Sequence, residues 1–233
     1  MIIALNYLIF LFAILLSADL FRRPRLYQDA AIHLSLFAIA ALLGGLAHHL
    51  AIEKTTLQHW IEHFNIGVPF YFQISTLTRI ETRVWLMTFL LVGLTEYYFM
   101  RIFLHPVAEN LKLPWIKKIL FASLIVFACT SLLFGDYAIV VTYHLITHTT
   151  VIVFSLYLII SKSLQSLWWL IGLTLFNLTT GAIWALMALS LIPSGPLHYN
   201  DWYHLAILLF LFFLHQTITQ GSLITTLAKI NNH

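Results

Sequence analysis

Histidine is the residue type that this chain offers most freely for metal chemistry. The 233 residues include 12 histidines, more than the 9 acidic residues, and only one cysteine. Many of them lie close together in the chain: His48 and His49, His59 and His63, His144 and His148, and His198 and His204. Neutral imidazole is the commonest metal ligand in proteins, and three such ligands with an open fourth position suit a catalytic zinc ion. The pattern therefore predicts a metal site.

The predicted zinc site combines histidines from distant parts of the chain. His48 or His49 would supply one ligand and His204 a second, while the third would be His144, His148 or an acid. Asp201 or Glu81 would then act as the base that assists water. This set predicts a metal-dependent hydrolase. The simpler interpretation is that these histidines face lipid head groups or hydrogen-bond to a neighbouring helix.

Three polar residues fall inside long apolar stretches, namely Glu96, Asn177 and His215. Polar side chains at that depth are costly and normally face a partner or a water-filled cavity. We expect Glu96 and His215 to lie at similar depths and to pair. The functional interpretation is a substrate or proton route in a transporter, receptor or assembly subunit. The alternative is a hydrogen-bonded clamp that fixes helix packing.

Two further chemistries use the same histidines. A b-type haem could be held between His144 or His148 on one helix and His48 or His49 on another, because haem binding in a bundle needs facing imidazoles. The segment 59–63 (HWIEH) also matches the H-x-x-E-H pattern of inverted zinc proteases. An amphipathic helix at the membrane surface explains that segment more simply.

The elements that would position these residues are membrane-spanning helices. Hydrophobic residues make up 61% of the chain and charged residues 9%, too few to cover a water-soluble globule of this size. Apolar segments of about 20 residues recur along the chain, which is the length that a helix needs to cross a bilayer. The sequence thus predicts an all-α, polytopic membrane protein in a cell or inner membrane, with the lipid bilayer as its partner and no nucleic-acid motif.

Seven spanning helices are predicted in a single membrane domain. Their ranges are 2–20, 29–52, 84–104, 115–134, 137–160, 167–192 and 201–227. Residues 53–83 are predicted to form an outer linker that contains an interfacial helix, broken at Gly67 and Pro69.

The basic residues predict the orientation of this seven-helix bundle in the membrane, because cytoplasmic loops are enriched in Lys and Arg. With the N-terminus outside and the C-terminus cytoplasmic, nine basic residues lie inside and three outside. The inner set is Arg22, Arg23, Arg25, Arg101, Lys112, Lys117, Lys118, Lys162 and Lys229, and the outer set is Lys54, Arg79 and Arg83. The same topology gathers eight of the twelve histidines at the outer side, together with Glu81, Asp136 and Asp201.

This architecture resembles the CREST superfamily of membrane hydrolases, which includes alkaline ceramidases and the progestin and adiponectin receptors. The resemblance rests on seven helices, an outer N-terminus, a histidine late in helix 2 and a histidine cluster at the start of helix 7. The stretch 199–204 (YNDWYH) is most similar to uncharacterised hydrophobic members of the superfamily. Members hold zinc with one helix 2 histidine and an H-x-x-x-H pair on helix 7, assisted by a helix 2 serine and a helix 3 aspartate.

Together with the histidine clustering, the resemblance implies metal-dependent hydrolysis of a lipid amide or ester. It also implies zinc ligands at two positions of this chain. His48 or His49 matches the helix 2 ligand and His204 matches the second helix 7 ligand. Asn200 stands in place of the first helix 7 ligand, and Gly44 or Gly45 replaces the serine. The nearest acid before helix 3 is Glu81, so two of the five family positions match.

Overall fold

The computed structural model describes residues 2–64, 69–110, 112–134, 137–160, 167–188 and 199–220. In these ranges the chain forms seven α-helices and a short 3₁₀ turn at Arg25–Tyr27. The helices are α1 (Ile2–Phe21), α2 (Gln28–Phe64), α3 (Pro69–Asn110), α4 (Pro114–Phe134), α5 (Tyr137–Ile160), α6 (Leu167–Ala188) and α7 (Tyr199–Thr219). The all-α prediction is confirmed for the described part of the chain.

Six of the seven helices are long and apolar enough to cross a membrane. The qualifying apolar stretch of α6, Leu167–Ile183, is shorter than in the other six. Large apolar side chains cover the outer faces of the helices, for example Leu133 (76% exposed) on α4 and Ile160 (80% exposed) on α5. Such surfaces match a lipid solvent and identify the chain as a membrane-spanning helical protein.

The predicted outer linker at 53–83 is wrong, because most of it continues the helices on either side. α2 extends to Phe64 and α3 begins at Pro69, where a proline suits the first helical position since the amide hydrogen is not needed there. Gly67 lies outside the described residues. The two helices have 37 and 42 residues, or about 56 and 63 Å, twice what a bilayer core requires.

α2 and α3 form an antiparallel hairpin whose contacts run along its length. Four pairs mark the register: Asp29 with Arg101, His33 with Thr95, His48 with Trp85, and Lys54 with Glu81. The hairpin brings the first turns of α2 to the part of α3 that contains Glu96, because His33 contacts the neighbouring Thr95.

Two predicted helix ends also differ from the structure. α3 does not stop before Pro106 but continues through it to Asn110, as membrane helices often do when neighbours satisfy the backbone. α7 begins at Tyr199, two residues before the predicted start, and ends at Thr219. Positions 189–192 of predicted helix 6 and 221–227 of predicted helix 7 lie outside the described residues.

The core is built from aromatic and aliphatic side chains of α1, α2, α3, α5, α6 and α7. Phe99 and Phe103 of α3 are fully buried and pack edge to face with a centroid distance of 5.6 Å. Glycines allow close helix contacts: a Cβ atom at Gly45 would lie 3.0 Å from the Tyr7 ring of α1. Small residues such as glycine are enriched where membrane helices approach closely.

Candidate functional site

A carboxylate and two imidazoles meet in the middle of the bundle. Glu96 of α3 is 3% exposed, and the Nδ1–H group of His144 donates a hydrogen bond to its Oε1 atom over 2.7 Å. The Nε2 atom of His148 lies 3.4 Å from the same oxygen. One donor atom from each residue lies within 4.8 Å of the others, and no other such group of three occurs in the described part of the chain. We call these three residues the Glu–His–His group.

Helix geometry explains why two histidines of α5 reach one carboxylate. Residues four apart lie on the same helical face, as predicted for this pair, and the two rings are 3.8 Å apart between centroids. His148 follows Tyr137, the first residue of α5, by 11 positions, which is about 17 Å along the helix. The group therefore lies about halfway along a helix that is long and apolar enough to cross a membrane core of about 30 Å.

Asn177 of α6 extends the group on the far side of His148. The Nδ1–H group of His148 donates a hydrogen bond to the Oδ1 atom of Asn177, which is 3% exposed. The His148 ring is held between Phe99 of α3 and Phe210 of α7, with centroid distances of 5.2 and 5.7 Å. Asn177 was predicted as an intramembrane polar residue, and the structure shows the partner that it contacts.

His33 of α2 lies beside the group and was missed by the sequence interpretation. It is 2% exposed, its Nδ1–H group donates to the Thr95 carbonyl over 2.9 Å, and its ring stacks on Phe99. Its Nε2 atom and the Oε2 atom of Glu96 make no hydrogen bond to any described residue. The signal that could have identified it is its position inside the apolar stretch 29–52, where an ionisable side chain is costly unless it has a partner.

A cavity of about 730 Å³ opens beside Glu96 and His144. All seven helices contribute to its wall, and most of the lining side chains are apolar, including Ile9, Phe37, Leu86, Val92, Val140 and Ile207. Glu96 and His144 are among the few charged or titratable groups on this wall. The volume lies within the range of roughly 300–1,000 Å³ that small-molecule sites occupy.

His48 and His204, the two histidines that the sequence predicted as metal ligands, also line this cavity. They lie close enough to influence each other electrostatically, and the His48 ring meets Trp85 edge-on at 5.3 Å. Trp85 precedes Glu96 by 11 residues on α3, so this end of the cavity lies about 16 Å along the helix from Glu96. His49 points elsewhere: its side chain is 52% exposed and lies 3.5 Å from Glu53.

The two predicted catalytic acids do not lie among the cavity-lining residues. Glu81 forms an ion pair with Lys54 at 2.5 Å, which joins α3 to α2. Asp201 is buried in the first turn of α7, where a negative charge stabilises the helix dipole. Both positions have a structural explanation that requires no catalytic role.

The predicted pairing of Glu96 with His215 is wrong. The Nε2–H group of His215 donates to the Oδ2 atom of Asp19 in α1 over 2.9 Å, and Arg23 contacts the same oxygen at 3.0 Å. His215 follows Tyr199 by 16 residues and lies only four residues before the end of α7. It is therefore level with the last turn of α1 and far from the depth of Glu96.

Several predicted residues cannot be placed. His198 and Asp136 lie outside the described residues, and the side chains of His59 and His63 are also outside the described part, although their backbone belongs to α2. The haem pairing of His144 or His148 with His48 or His49 remains a prediction. Comparisons with protein-family models, curated proteins and solved structures gave no match.

Proposed function

We propose that this protein is a metal-dependent membrane hydrolase that cleaves an amide or ester bond of a lipid. The observation that carries the proposal is that two members of the Glu–His–His group, Glu96 and His144, line a large apolar cavity inside the bundle, with His148 directly behind them. A buried carboxylate beside two imidazoles is a set of groups that water-activating chemistry uses, and an apolar cavity suits an acyl chain.

The donor atoms suit a zinc ion. Two histidines and one glutamate, with a fourth position left for water, form the ligand set of several hydrolytic zinc enzymes. Ligands about 2.0–2.1 Å from a tetrahedral ion lie roughly 3.3 Å apart. The distance of 3.4 Å between His148 Nε2 and Glu96 Oε1 is close to this spacing. The distance of 2.7 Å between His144 Nδ1 and the same oxygen is shorter because a hydrogen bond joins them, and His144 would have to release this hydrogen to bind the ion through Nδ1. When bound, a divalent ion would supply Lewis acidity and make water nucleophilic near neutral pH.

The remaining residues would bind and orient the substrate. The apolar wall would hold an acyl chain and keep bulk water away from the Glu–His–His group, which strengthens the electrostatic interactions there. Glu96 and His144 reach the cavity directly, so a carbonyl group could approach them. At the other end, His48 and His204 would hydrogen-bond to the polar head of the lipid.

The resemblance to the CREST superfamily supports the same class of reaction. His48 and His204, which match zinc ligands of that superfamily, line the cavity that we propose as the substrate site. We propose a different ligand set for this chain, located on α3 and α5. The family positions on helices 2 and 7 would then contact substrate.

We propose that all seven helices cross the membrane, with the N-terminus outside and the C-terminus in the cytoplasm. The nine-to-three distribution of basic residues supports this orientation. In this orientation α1, α3, α5 and α7 run inward, and the connection between α2 and α3 lies outside. A cell or inner membrane would be the location.

The experiment is metal analysis and hydrolysis with the purified protein in lipid nanodiscs. We expect about one zinc ion per chain and release of fatty acid from a panel of N-acyl and O-acyl lipids. Glu96→Gln and His148→Gln should each lower hydrolysis about 100-fold or more, since even changes outside the ligand set cost 10–100-fold. The matched control is His105→Gln on α3, whose imidazole lies near Glu109 and away from the group; it should retain activity.

Three results would contradict the proposal. Protein that contains no stoichiometric metal and stays inactive after zinc is added would exclude metal-dependent hydrolysis. Full activity in Glu96→Gln would exclude the Glu–His–His group as its site. An absorption band of haem in the purified protein would instead support the haem alternative.

A further inference from the structure

We infer that Asn177 is a positioning residue, which fixes His148 as the tautomer that carries its hydrogen on Nδ1 and leaves the lone pair of Nε2 for the metal. The inference rests on the metal site of the proposed function and adds a residue from a third helix. Asn177 does not line the cavity, so it would act through His148 rather than on substrate.

The hydrogen bond determines the tautomer. A carbonyl oxygen such as Oδ1 of Asn177 can only accept, so the Nδ1 atom of His148 must donate. A neutral imidazole has a single N–H group, and its other nitrogen then carries a lone pair. In the neutral ring the Nε2 atom is therefore free to bind a metal, and it is the nitrogen that faces Glu96 at 3.4 Å.

This tautomer makes the group electrostatically incomplete without a cation. The Oε1 atom of Glu96 already accepts the hydrogen bond from Nδ1–H of His144. A lone pair on Nε2 of His148 would face that oxygen across 3.4 Å, and the two would repel each other. A positive ion between them turns the repulsion into two coordination bonds. Ligating histidines usually donate their second N–H to a carbonyl or carboxylate in this way.

Among the side chains packed against His148, Asn177 determines which ring nitrogen carries the hydrogen. Phe99 and Phe210 pack against the ring and set its position, but neither offers a hydrogen-bond acceptor comparable to a carbonyl. Asn177 is also the only amide or charged side chain in α6, whose other polar residues are threonines. An amide in so apolar a helix is costly unless it has a partner.

The first test is the tautomer itself, measured on metal-free protein. Nitrogen-15 NMR of histidine-labelled protein at about pH 8 distinguishes Nδ1–H from Nε2–H rings, and loss of a signal in His148→Gln assigns His148. We expect Nδ1–H in the wild type and in Asn177→Asp, whose carboxylate also accepts. In Asn177→Leu the His148 ring should no longer be held in the Nδ1–H form. The inference is overturned if wild-type His148 is an Nε2–H or doubly protonated ring, or if Asn177→Leu leaves it unchanged.

The second test is metal affinity, measured by titration with zinc and cobalt. Asn177→Leu should weaken binding about 10–100-fold, as changes to such outer partners do, while Asn177→Asp should stay within about 10-fold of the wild type. The matched control is Thr174→Val, which removes a buried hydroxyl that bonds only to Leu170 of its own helix and should leave affinity unchanged. Wild-type affinity in Asn177→Leu would overturn the inference.

The two tests separate this inference from the proposed function. If His148 shows the expected dependence on Asn177 but the wild type binds no metal, positioning by Asn177 is upheld and metal-dependent hydrolysis fails. If metal binds and lipid is hydrolysed without any effect of Asn177→Leu, the proposed function stands and the positioning role fails.

Discussion

Glu96 shows how one carboxylate organises residues from several helices. It contacts His144 and His148 of α5, and through His148 it is connected to Asn177 of α6. The sequence predicted all four as intramembrane polar or metal-binding residues, because ionisable and amide groups stand out in apolar segments. It could not predict their pairing, which depends on the depth of each residue and thus on where each helix begins and ends.

His215 illustrates that dependence. The apolar pattern continues to about residue 227, so His215 was placed halfway along helix 7, level with Glu96. In the structure His215 instead contacts Asp19 in the last turn of α1, which places it at the depth where α1 ends. An error of a few residues at a helix end is common, but in a membrane it changes which polar groups can meet.

The contact between Asp19 and His215 should contribute measurably to stability. In a double-mutant cycle with Asp19→Asn and His215→Gln, we expect a coupling of about 0.6–1.7 kcal/mol, the range of side-chain hydrogen bonds between membrane helices. Denaturant unfolding in mixed micelles measures it. The control cycle pairs Asp19→Asn with His105→Gln, which do not touch, and should give no coupling. Zero coupling for Asp19 and His215 would mean that the contact does not form.

At the scale of elements, the apolar helices were predictable and the amphipathic ones were not. α1, α4 and α5 begin and end within about two residues of the predicted bounds, because each is a continuous apolar segment. The last 12 residues of α2 and the first 15 of α3 are polar enough that hydropathy alone indicates a linker. Backbone hydrogen bonds continue the helix there regardless of which solvent surrounds it.

Close packing of α3 on α4 gives a prediction at this scale. A Cβ atom at Gly93 would lie 2.1 Å from the ring of Phe127, a buried residue that stacks on Tyr143. Gly93→Ala should therefore lower the unfolding free energy by about 1–3 kcal/mol, the usual effect of overpacking. Thermal unfolding in micelles measures it, and a second change, Phe127→Leu, should recover part of the loss.

Gly181 on α6 provides the control, because a Cβ atom there would meet nothing within 4 Å. Gly181→Ala should be neutral or stabilising by up to about 1 kcal/mol, since alanine favours helix more than glycine does. Equal stability of Gly93→Ala and the wild type would contradict the packing of α4 against α3.

For the whole molecule, composition alone predicted a polytopic membrane protein. The uneven distribution of Lys and Arg predicted its orientation in the membrane. The orientation can be tested by labelling with a membrane-impermeant maleimide in a Cys129→Ser background. Single cysteines would be introduced at Arg25, Thr55, Lys162 and His198. Intact cells should label Thr55→Cys and His198→Cys only, while permeabilised cells should label all four. If cysteines at positions 25 and 162 were labelled in intact cells, the orientation would be the opposite of the one proposed. Labelling of Lys162 and His198 from the same side would exclude a membrane crossing by α6.

The length of the α2–α3 hairpin has a practical consequence for imaging. Most of the 26.8 kDa chain would be hidden in a micelle or nanodisc, and small particles of this kind are hard to align in electron microscopy. About 18 Å of α2 follows Ile52, the last residue of its predicted apolar span, and in the proposed orientation this part would extend outside the membrane. An antibody fragment bound to the end of the α2–α3 hairpin would mark one side of each particle and help to align the images. The cavity beside Glu96 could then be imaged in the intact bilayer-embedded protein.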